Sequence, residues 1–145
     1  MNMTFSKMPI ILKLIACLVV LSVYCRAAHE PAIPNIEMLG RSVRSVPKSL
    51  LLGSKEGIQP FTITLDLNRG WIREIVADYP ETVSVEMIRS AVSKLLKTNP
   101  RHESAKLTVW RNERLKTSAL LSPNPEDGTI QLLLRWFGTE GKGAK

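Results

Sequence analysis

The chain has 145 residues, 44% of them hydrophobic and 23% charged, with a formal net charge of +7. That apolar content excludes wholesale disorder, and the length suits a single domain. Lys7, Lys13 and Arg26 are the only charged side chains before residue 28, so the remainder holds 17 basic against 13 acidic residues. Such a balance is too mild for a nucleic-acid-binding signature.

Residues 1–27 read as a cleavable secretory signal. A basic start carrying Lys7 and Lys13 precedes an apolar run from Leu14 to Tyr24, followed by Cys25-Arg26-Ala27-Ala28 with small residues at the cut. The run is too short for a membrane span, which needs roughly 20 residues. Leu14-Ile15-Ala16-Cys17 resembles a lipobox, which would make Cys17 a lipidation site. Against that, Leu18 to Cys25 continue the apolar stretch beyond it. Membrane attachment would therefore come only through an uncleaved signal or a lipidated Cys17. Cleavage near Ala27 removes both cysteines and with them any disulfide, which fits a bacterial periplasm.

Residues 28–59 form a basic lead-in punctuated by Pro31, Pro34, Gly40, Pro47, Gly53 and Gly57. Ser49 to Leu52 would suit a short edge strand. An α+β domain is expected over 60–137. Phe61, Ile63, Leu65 and Leu67 alternate with Thr62, Thr64, Asp66 and Asn68, as in a half-buried strand. Asn68 then reads as an N-cap, and Trp71, Ile72, Ile75, Val76 and Tyr79 have helical spacing up to Pro80.

A second helix is expected from Thr82 or Ser84. Its stripe is Ile88, Ala91, Val92, Leu95 and Leu96, and Pro100 forbids continuation. Three strands should follow: one around Leu107–Arg111, one over Leu115–Leu121 and one over Thr129–Phe137. A turn at Asn112-Glu113 and a loop over 122–128 would separate them, and residues 138–145 make a flexible tail. The order β-α-α-β-β-β suggests an antiparallel sheet of about four strands with two helices on one face.

No catalytic, metal or cofactor motif stands out. The chain has only His29 and His102, with no paired cysteines after the leader. Asp66, Glu74 and Asp78 form a thin carboxylate set, the last two sharing a helix face on this reading. His102 beside Glu103 and Ser104 would be the base of a small hydrolase, although a lone histidine without an orienting acid is not a triad.

The most suggestive constellation is basic and aromatic: Trp110, Arg111, Arg114, Lys116, Arg135 and Trp136, with Phe137 beside them. Tryptophan and arginine anchor protein interfaces, and arginine beside aromatics also suits anionic polymers or glycans. A solvated outer face with its aromatics in the core would carry the same residues. The expectation is a non-catalytic binding or assembly accessory of the cell envelope. It would engage a protein partner, in the periplasm or outside the cell, rather than nucleic acid. The second reading is a binder of an anionic polymer or glycan through the same residues.

Overall fold

A computed structural model of the chain describes residues 30–46, 57–124 and 126–139. The leader, Cys17 and the candidate strand at Ser49–Leu52 lie outside the described residues, which contain no cysteine.

Among the described residues, six strands form one antiparallel sheet in the order β1-β2-β6-β5-β4-β3. The strands are β1 (Thr62–Asn68), β2 (Trp71–Pro80), β3 (His102–Glu103), β4 (Thr108–Asn112), β5 (Thr117–Asn124) and β6 (Thr129–Trp136). A single α-helix, α1 (Val85–Leu96), lies between β2 and β3 in the chain. The expected α+β domain of about four strands and two helices is therefore corrected, among the described residues, to a mostly β domain of six strands and one α-helix.

The first expected helix is β2. Asn68 does not cap it: Arg69 and Gly70 both have positive φ, 54° and 80°, which makes a two-residue hairpin turn of type I′. The helical spacing has a different origin. Asp66 pairs with Glu74 but Leu67 pairs with Ile72, so Arg73 is an extra residue. Such a bulge resets the alternation of a strand. Ile72 and Ile75 then face the same side, three residues apart, with Ala77 and Tyr79 continuing at period two.

α1 buries Ile88, Val92 and Leu96, part of the stripe its spacing marks. Each such side chain contributes roughly 1.5–3 kcal/mol through burial. Lys97 ends the helix in the left-handed conformation, and its N–H and that of Thr98 bond back to Lys94 and Ser93. Trp110 Nε1 donates to Ser93 Oγ (2.9 Å) and Asn112 Nδ2 donates to Leu96 O (2.7 Å), which fixes the helix over β4.

The lead-in covers the other half of the same sheet face. Met38 and Leu39 belong to the core cluster, with Ile33, Ile36, Val46 and Ile58 packed against it. Gly40 N–H bonds Ile72 O, and Ile72 N–H bonds Arg41 O. Residues 40–43 thus extend the sheet beside β2 beyond the point where β6 stops. The buried Tyr79 hydroxyl donates to Ala32 O (2.7 Å) and staples the segment from below.

Tyr79→Phe would leave the Ala32 carbonyl without this donor and should cost about 1–2 kcal/mol in a urea titration. Burial pushes the Tyr79 phenol well above its ordinary value. A raised folded-state pKa contributes stability fully below the ordinary phenol pKa of about 10, and that contribution is lost as pH rises beyond it. Native protein should therefore lose stability in that alkaline range more steeply than the phenylalanine variant. Equal slopes would show that Tyr79 ionises as freely in the folded chain as in the unfolded one.

Candidate binding face

Residues paired across antiparallel strands share a sheet face. One face of the sheet packs on α1 and the lead-in; its opposite has no described element over it. Three cross-strand rows define that open face.

The central row runs Thr64, Val76, Leu133, Leu120, Val109 and His102, from β1 to β3. Val76, Leu133, Leu120 and Val109 are half-buried, so four adjacent strands present aliphatic side chains side by side. The row on one side runs Asp66, Glu74, Arg135, Ser118 and Arg111. The row on the other side runs Thr62, Asp78, Gln131 and Ser122.

Charge divides by strand on this face. Asp66, Glu74 and Asp78 stand on β1 and β2, whereas Arg111 stands on β4 and Arg135 on β6. Arg135 Nε pairs with Glu74, which is mostly covered. Asp78 accepts from Thr62 Oγ1 and, at 3.1 Å, from Gln131 Nε2. Both donors are neutral, so the carboxylate charge stays uncompensated by them.

At the basic end, the Arg111 guanidinium lies 4.2 Å from the Phe137 ring centroid, and Lys116 approaches the same ring at 6.0 Å. Arg111 Nε also donates to Glu113 Oε1 (2.6 Å), with Arg101 3.9 Å from the same oxygen. The Arg111 hydrogen bond is the main reason the Glu113 carboxyl sits below the ordinary carboxylate range.

The structure separates the residues singled out from the sequence. Trp110 and Trp136 point into the core, where Trp110 is fully buried and Trp136 is 8% exposed. Arg111 and Arg135 are exposed on the opposite face. Lys116 and Arg114 sit in the exposed turn between β4 and β5, with Lys116 in the left-handed conformation. The aromatic partner of the basic residues is Phe137. Strand alternation carries this signal, because neighbours such as Trp110 and Arg111 point to opposite sides. The aliphatic row depends on register between strands distant in sequence, which no single segment displays.

The carboxylates are arranged differently from a helix pair. Glu74 and Asp78 flank Val76 along β2, and Asp66 stands directly opposite Glu74. His102 is exposed on a two-residue edge strand. Its neighbours are committed elsewhere. The Ser104 hydroxyl and Leu107 bond within one turn, and Glu103 accepts from Arg89. Among the described residues no group of three histidine, cysteine or acidic side chains could hold a metal, and no helix is long and apolar enough to cross a membrane.

Next to the polar row a depression of about 430 Å³ is lined by Phe61, Thr62, Asp78, Ser122, Pro123, Asn124, Asp127, Thr129 and Gln131. Phe61 is 57% exposed. The lining has two carboxylates and no lysine or arginine, so it repels anions.

The chain matches no protein-family model, and neither a curated protein nor a solved structure proved similar to it.

Proposed function

We propose that the chain is an exported, non-catalytic binding protein whose open sheet face docks a protein partner in the cell envelope or outside the cell. The aliphatic row Val76–Leu133–Leu120–Val109 is the observation that carries this reading. Four contiguous apolar positions between two polar rows follow the plan of a protein interface, apolar at its centre and polar at its rim. The three-zone leader supports export. The anionic-polymer reading loses its footing, since Trp110 and Trp136 are in the core and the β1–β2 half of the face is acidic.

The test compares the native chain with a Leu120→Glu, Leu133→Glu variant as bait in extracts of the native envelope. Both substituted positions lie off the buried core, so the variant should still melt cooperatively. Proteins retained by the native chain in high salt and lost by the variant are the expected outcome. Identical retention by the two baits would overturn the reading. Retention that vanishes steeply with rising salt would point instead to a polyanion.

A further inference from the structure

We propose that the open face stacks on the open face of a second copy of this chain, about a two-fold axis parallel to the strands between β5 and β6. The inference rests on the docking reading above and names the occupant.

Two identical sheets stacked face to face are related by an axis lying in the plane between them. Two orientations of that axis are simple. An axis running across the strands superposes each strand on its own copy. Glu74 would then meet Asp78 of the partner subunit, carboxylate against carboxylate. An axis along the strands, between β5 and β6, instead superposes β2 on β4 and β6 on β5 and leaves each cross-strand row on itself.

The observed register makes this second arrangement complementary in its central and charged rows. In the central row Val76 meets Val109 of the partner subunit, and Leu133 meets Leu120 of the partner subunit. In the charged row Glu74 meets Arg111 of the partner subunit, while Arg135 meets Ser118 of the partner subunit. Symmetry makes each of these contacts twice. The division of charge, acidic on β1 and β2 and basic toward β4, is what a self-complementary face requires. A face for a uniformly charged ligand would carry one sign. Stacked sheets cross at about 30° because each is twisted, so the central columns fit best.

Area sets the strength. Strands about 4.8 Å apart, with about 3.3 Å per residue along them, give a face of roughly 20 by 20 Å over β2, β6, β5 and β4. Two such faces bury about 800 Å², below the range of stable specific interfaces and within that of weak, transient ones. The expected dimer is therefore reversible, with a Kd on the order of 10 μM or weaker.

Sedimentation velocity of the purified protein from about 1 to about 300 μM should show the mass moving from that of one chain toward twice that value. Glu74→Arg alone places two arginines against each other at both symmetry-related contacts, and Arg111→Glu alone places two glutamates there. Each variant should associate at least tenfold more weakly than the native chain. An equimolar mixture of the two should regain association, because every altered residue then meets its opposite charge. Recovery on mixing cannot come from misfolding of either variant. A chain that stays monomeric throughout the range, or variants that fail to rescue each other, would overturn the proposal. If the chain is monomeric while envelope proteins are still captured in a Leu120- and Leu133-dependent manner, the docking reading stands and the self-association falls.

Discussion

Replacing Arg89 with methionine should destabilise the domain by about 3 kcal/mol, because four partners lose their donor and one of them is buried. The Arg89 side chain is only 13% exposed and projects from α1 toward the β3–β4 region. Its Nε donates to Thr108 Oγ1 at 2.8 Å, and its Nη2 to Ser104 O at 2.6 Å. Its Nη1 serves Glu86 and Glu103. The two glutamates are more than half exposed, so water replaces the arginine there, and those ion pairs add little. Thr108 is 1% exposed and would keep a hydroxyl without this donor. That orphaned group sets the size of the effect. Thr108→Val should therefore restore part of the stability in the methionine background while costing some in the native one. Lysine at 89 should not rescue, since one ammonium cannot reproduce a fork that bonds in several directions. A loss below about 1 kcal/mol in a guanidinium titration would show that this fork is dispensable.

Gly40→Ala should cost about 2–4 kcal/mol, with two separable causes. Gly40 has a φ of +78°, where an alanine is strained. A Cβ there would also lie 2.9 Å from two atoms of the Trp136 indole. Gly138 approaches the same ring at Cζ2, Cε2 and Nε1, where an added Cβ would overlap it. The backbone cannot retreat without losing the 2.7 Å bond from Gly40 N to Ile72 O. Gly70 provides the control. Its φ is +80°, and nothing lies within 4 Å of a Cβ built on it. Gly70→Ala should cost only the backbone strain, about 1 kcal/mol. The difference between the two variants, read from thermal melts followed by tryptophan fluorescence, measures the crowding at Trp136. Equal losses would mean that the indole moves aside freely.

The alternating strand β1, the amphipathic helix α1 and the C-terminal strands were legible because each shows its own period within a short window. β2 was not, and the reason is one residue. Arg73 bulges out of the ladder, brings Ile72 and Ile75 to one side, and imitates a helical repeat with Val76 and Tyr79. The turn before it was hidden by Arg69, which takes a left-handed conformation usually held by asparagine, aspartate or glycine. The lead-in reads as punctuation. Yet Met38 and Leu39 are fully packed, a tertiary outcome with no local period to announce it. Of the six residues in the basic-aromatic set, Arg111 and Arg135 reach the open face, and alternation already divided them from the tryptophans. The aliphatic row could be found only once β2 was known to lie beside β6.

That neighbourhood has a consequence for how the molecule comes into being. Among the described strands β6 comes latest in the chain, and it sits in the interior of the sheet, between β2 and β5. The β1–β2 and β4–β5 hairpins close locally, but the Arg135–Glu74 contact joins residues 61 positions apart. A nascent chain that has not yet delivered Thr129–Trp136 owns two half-sheets and no keystone between them. It must therefore stay open until that strand arrives, and removing the strand should leave two fragments rather than a smaller domain. A sheet whose central strand is supplied after its neighbours cannot shut before that strand has joined them.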